Sequence, residues 1–147
     1  MNQYDASIMR SCLEFSGLQY WYEESLPEEF AVPSIYFPAA EHFPSKSALG
    51  SYQSEYSIYA KLFATSDREA MELADNIVQG IMYRNCRLPV YTADGKEAGV
   101  TIKMEPPITR LAATNVAQIT FVYKVVRSYK REPQAPSQGV NINKNFN

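Results

Sequence analysis

His42, Cys12 and Cys86 are the residues from which metal or nucleophilic chemistry would have to be built, and their spacing does not build it. A usual zinc set takes four ligands in close pairs, which one histidine and two distant cysteines cannot supply. General acid–base work by His42 needs a nucleophile or carboxylate held beside it, and its stretch, AEHFPSK, reads as a surface loop. The nucleophile elbow GxSxG is missing. So are GxGxxG and GxxxxGK[ST], and with six glycines in all no phosphate-cradling loop is evident. The acids Glu23, Glu24, Glu28 and Glu29 lack the alternating oxygen ligands and the glycine of a calcium loop, so they read as a solvated face. The sequence therefore points to no catalytic residue, no metal site and no cofactor. The expectation is a non-enzymatic protein that works by binding other proteins.

The chain has 147 residues, 46% hydrophobic and 20% charged, a globular balance that suits one domain. Eleven tyrosines stand out, since a ring with a polar tip suits half-buried strands and protein interfaces alike. The net charge of −2 argues against a general nucleic-acid binder, but it is unevenly spread. Residues 1–60 hold eight acids and two bases, a balance of −6; residues 61–147 hold twelve bases and eight acids, a balance of +4. Two readings stand: charges that fell unevenly on solvated faces, or a polarised subunit that attracts copies of itself head to tail. A late basic group, Lys124, Arg127, Lys130 and Arg131, either meets an acidic partner or phosphate backbone or guards a strand end. The first residues do not read as a signal peptide and no apolar run reaches bilayer length. Buried reduced thiols inside a cell are the expectation for Cys12 and Cys86.

The elements that must position these residues follow from periodicity. Ile8, Met9, Cys12, Leu13 and Phe15 predict a helix over 5–16, closed by Gly17. Residues 18–32 read as irregular with an extended stretch near Tyr20–Tyr22. PSIYFP, 33–38, predicts a short strand that its prolines confine to an edge or a ladder start. Residues 39–51 read as a long loop. Residues 52–64 alternate, with Tyr52, Tyr56, Ile58, Ala60 and Leu62 on one face. Ser66-Asp67-Arg68-Glu69 is a capping box that opens a helix over about 67–83. CRLPVY and AGVTIKME form a hairpin around Asp94-Gly95, and 115–129 form the longest strand. The expected fold class is α+β, a mostly antiparallel sheet with helices packed on one face. A single domain spans 1–131 and a flexible tail 132–147. Apolar residues on the second faces of the long strands (Tyr59, Phe63, Val122, Val126) suggest that these faces meet other subunits.

This order resembles the tail terminator, or tail completion, family of long-tailed bacteriophages and prophages. The matching segments, over about residues 30–130, are PSIYFP, YSIYAKLFA, the helix SDREAMELADNIVQGI, the hairpin around TADGKEAG and the strand AQITFVYKVVRSY. The resemblance implies a subunit of a homo-oligomeric ring, a hexamer, capping the head-proximal end of a tail tube in the virion after assembly in the host cytoplasm. It implies the tail tube protein and head connector proteins as partners, with no membrane and no specific nucleic acid. The contact candidates, chosen on exposure and chemistry, are Phe43 and Lys46 in the loop, Tyr59 and Phe63 on the strand, Asp94 and Lys96 at the hairpin tip, and Lys124, Arg127, Lys130 and Arg131 at the basic end. Two other readings stand beside it: a different neck, connector or tail component, or a small intracellular domain that binds a ligand or peptide.

Overall fold

In the computed structural model, which describes residues 1–129, Asn2 opens the first helix, α1 (Gln3–Ser16). Its side chain accepts from the Asp5 N–H at 2.7 Å, and Gly17 closes the helix in the left-handed region at φ 71°. Nine further elements follow: β1 (Trp21–Glu23), β2 (Ser34–Phe37), β3 (Glu41–Ala48), β4 (Ser51–Phe63), α2 (Asp67–Tyr83), β5 (Arg87–Tyr91), β6 (Glu97–Lys103), β7 (Ile108–Ala113) and β8 (Val116–Ser128). The chain is α+β, as expected. The main sheet runs β1-β2-β4-β8-β7, with β3 also on β4, while β5 and β6 form a separate hairpin. All pairings are antiparallel except β1 with β2.

The two long strands make the frame. β4 and β8 pair along their whole length, from Ser51↔Ser128 to Phe63↔Val116. On one face, called inner below, Ile58, Ala60 and Leu62 stand opposite Phe121, Ile119 and Ala117. All six are buried, in one core with Ala70, Ala74, Ile77 and Ile81 of α2 and Ile8 and Cys12 of α1. Each fully buried Ile, Leu or Phe contributes about 1.5–3 kcal/mol before the entropy of ordering is counted. The capping box is present, with a shift: Ser66 Oγ accepts from Glu69 N at 3.1 Å, while Glu69 Oε1 accepts from Thr65 N at 3.0 Å, one residue before the cap.

Two expectations need correction and a third is narrowed. Residues 39–51 are not a loop: Glu41–Ala48 is strand β3, joined to β4 through Gly50 at φ 85°. It is exposed along its length, so no alternation of apolar residues announced it, and Pro44 is absorbed by a bulge between Pro44 and Lys46. Of the two places its prolines allowed, β2 does not take the edge, since three-residue β1 pairs on its far side; Pro33 instead directly precedes the first paired residue, Ser34. The closing strand is half of a hairpin. β7 precedes it, turning through Asn115 at φ 61°. The segments 132–147 and Lys130-Arg131 lie outside the described residues.

Candidate assembly surfaces

Antiparallel partners directly opposite each other project from the same face. The register therefore sorts the contact candidates. Phe43 faces Glu55, Lys46 faces Gln53, Tyr59 faces Thr120, Phe63 faces Val116 and Lys124 faces Glu55. All belong to the outer face of the sheet, opposite the helices. Five candidates from three strands thus share one surface: Phe43, Lys46, Tyr59, Phe63 and Lys124. Val126, opposite Gln53, joins them and is 70% exposed. Cover on this face comes from the 24–33 segment, whose Phe30 ring lies 4.5 Å from that of Phe63.

The near ends of β4 and β8 run on past the helices. With β3 they form a three-stranded ribbon that extends about 17 Å beyond Tyr56, at about 3.4 Å per residue. Leu49 at its tip is fully exposed and Phe43 is half exposed. An aromatic chain fixes the root. His42 stacks on Tyr56 at 5.2 Å, Tyr56 on Tyr123 at 5.0 Å, and Tyr4 meets Tyr123 edge-on at 6.0 Å. His42 is exposed, but it belongs to this strand and not to a loop.

Electrostatics divides the basic group. Lys124 Nζ lies 3.7 Å from Glu55 and 3.6 Å from Glu105, so its charge is locally balanced. Arg127 stands on the inner face, opposite Tyr52; its guanidinium lies over the Tyr56 ring at 5.6 Å and donates to the Tyr56 hydroxyl. Lys124 and Arg127 thus form no common patch. Asp94 and Lys96 are on the helix side, away from the outer face. Their turn is pinned to α1: Tyr91 N donates to Ser7 Oγ at 2.9 Å and Arg10 lies over the Tyr91 ring at 4.3 Å.

One polar cluster had no local sequence signal. Tyr123 Oη donates to Asp5 Oδ1 at 2.6 Å, with Asn2 Nδ2 3.5 Å from the same hydroxyl. Burial raises the Asp5 carboxyl above the usual carboxylate range, against the pull of the Tyr123 bond, and burial with the Asp5 acceptor pushes the Tyr123 hydroxyl up. The cluster joins a helix start to a strand centre, a contact no sequence spacing reveals. Cys12 and Cys86 are buried and free, and burial pushes the Cys12 thiol up, which leaves it inert. Among the described residues no three His, Cys, Asp or Glu gather into a metal-binding group, and no helix is long and apolar enough to cross a membrane.

No protein-family model matches the chain. It is 30% identical over 139 residues to the uncharacterized protein YqbJ of Bacillus subtilis (strain 168), covering 95% of this chain and 94% of that one. It is 25% identical over 122 residues to the phage-like element PBSX protein XkdJ of the same strain, with 83% and 84% covered. A solved chain from the virion of the native gene transfer agent particle aligns over 85% of this chain and 94% of its own, at 12% identity and a TM-score of 0.46. By its near-complete match at 30% identity, the chain belongs to the same family as YqbJ, and it is also similar to a protein of a phage-like element.

Proposed function

We propose that the chain is a non-enzymatic structural protein of a phage-type virion. It assembles as a ring, a hexamer, on the head-proximal end of a tail tube. There it stops tube growth and offers the docking surface for the head connector. The likeness to a phage-like element protein over 83% of the chain carries the phage assignment. The outer sheet face supports assembly: Phe43, Tyr59 and Val126 place apolar material where a solvated sheet would carry polar side chains. Binding by surface complementarity needs no titrating site, and the ribbon gives a subunit reach toward a neighbour or the tube.

The test is tube growth in vitro. Purified tail tube protein from the same phage is polymerised with and without this chain, and lengths are read by electron microscopy. Short tubes bearing a terminal ring are expected. Unlimited growth at saturating concentrations of this chain would sink the terminator role.

A further inference from the structure

Apart from the exposed ribbon strand β3, the main sheet ends on β1 and β7, two edges of opposite character. At one end, residues 18–33 carry Glu23, Glu24, Glu28 and Glu29 and no lysine or arginine. The Met1 amine pairs with Glu24 at 2.6 Å, which leaves a balance of three negative charges on that strip (four less one). Glu28 and Glu29 are held close to β1, because Ala31 N donates to Tyr22 Oη at 2.9 Å and the Phe30 and Tyr22 rings meet at 6.2 Å. The same edge exposes Tyr20, Trp21 and Val32 by 54%, 47% and 45%.

At the other end lies β7. Residues 106–115 contain Arg110 and no acid, and β7 exposes Ile108 by 66% and Leu111 by 45%. A six-residue edge with exposed aliphatic side chains and a single charge is what proteins usually guard against, since its backbone is a template for another strand.

We infer that β7 of one copy docks on β1 and the acidic 23–29 strip of the next, extending the sheet head to tail. Strand directions fit. Tracing the pairings from β1 through β2, β4 and β8 leaves β7 antiparallel to β1. A repeat that keeps the sheet running therefore makes an antiparallel join. Side-chain faces fit as well. Arg110, opposite Gln118, and Ile108, opposite Thr120, are on the outer face, where Phe30 and Tyr22 hold the acidic segment. Leu111, opposite Ala117, is on the inner face, as is Trp21 opposite Ile35. Arg110 meets Glu28 and Glu29, and Leu111 meets Trp21. Such a contact is heterologous, so it closes into a ring or runs on. The inference deepens the assembly reading above, yet it is tested on this protein alone.

The experiment measures self-association of the full chain by sedimentation velocity over a concentration series. Glu28→Lys with Glu29→Lys, and separately Arg110→Glu, are expected to weaken association at least about tenfold, and the three changes together to restore it to within about threefold. Leu111→Asp should weaken association with the thermal melt unchanged. A parent that stays monomeric throughout, charge variants that associate like the parent, or a triple variant that fails to recover would each overturn the inference. If the charge swap restores association but the assemblies leave tube growth untouched, this interface stands and the terminator role falls. If the charge variants associate like the parent and terminate tubes as well as it does, this interface falls and termination stands.

Discussion

The hydroxyl of Tyr123 donates to the carboxylate of Asp5 at 2.6 Å, joining the centre of β8 to the first turn of α1 across 118 residues of chain. Asp5 is 7% exposed and Tyr123 is 1% exposed. The pair sits where the aromatic chain from His42 through Tyr56 reaches the helix layer. Tyr123→Phe keeps the ring packing and removes the donor, leaving a buried carboxylate short of a partner. The expected loss is about 1–3 kcal/mol of folding free energy, read by urea denaturation. The double variant Asp5→Asn with Tyr123→Phe should lose less than the two single losses summed, because the partners are coupled. Additive losses would show that the bond contributes nothing beyond its parts.

The same carboxyl predicts a pH dependence. Burial raises its proton affinity in the fold above the ordinary value of 3.8, with the Tyr123 bond in partial opposition. The folded state therefore holds this proton more tightly than the unfolded chain does. The resulting stability is complete below the unfolded value and is lost as pH rises through the raised folded value. Asp5→Asn has no proton to lose. Relative to the parent, it should gain stability between pH 3.5 and pH 7, measured by denaturation at both ends. A constant gap, or one that moves the other way, would rule out Asp5 as the source.

Sequence periodicity reached the elements that are buried on one face and solvated on the other. α2, β4 and β8 carry a clean period because the core selects every second or every third to fourth residue, and the Ser66 cap marks where α2 starts. β3 and β7 were missed for the converse reason. They are mostly exposed, so burial imposes no pattern, and their turns are not the Asn-Gly or Asp-Gly pair that marks a hairpin. The outer face was half legible. Alternation placed Tyr59, Phe63, Val122 and Val126 opposite the core, but only the β3–β4 register brings Phe43 and Lys46 onto the same surface. The charge of Lys124 was visible and its balance was not. Glu55 and Glu105 reach it from different strands and connections.

Gly80 in α2 is fixed by the opposing helix. A Cβ built there would lie 2.4 Å from Phe15 Cγ, and the Arg84 guanidinium stands over the same ring at 5.2 Å. Helix propensity favours Gly→Ala by about 1 kcal/mol, but the overlap is with the root of the ring, which has little room to give. Crowding of this kind costs about 1–3 kcal/mol. Gly80→Ala is expected to lower the thermal midpoint, and Phe15→Leu in the same chain to recover part of the loss. A stabilised Gly80→Ala protein would mean that α1 and α2 separate freely.

The outer face predicts that fold and assembly come apart under substitution. Phe43 and Val126 are 49% and 70% exposed on the ribbon, and neither belongs to the core. Phe43→Thr with Val126→Thr puts a β-branched residue at both strand positions, so folding stability should move by no more than about 0.5 kcal/mol at each position. Capture of this chain by preformed tail tubes, read by co-sedimentation, should fall sharply, since an apolar patch loses its attraction when its rings and methyls are replaced by hydroxyls. Lys124→Ala serves as the contrast. Its charge is already shared between Glu55 and Glu105, and exposed pairs of this type are worth about 0–1 kcal/mol. It should alter neither the melt nor the capture by much. The reverse pattern, with Lys124→Ala abolishing capture and the threonine pair leaving it intact, would move the contact from the apolar face to the charged end of β8.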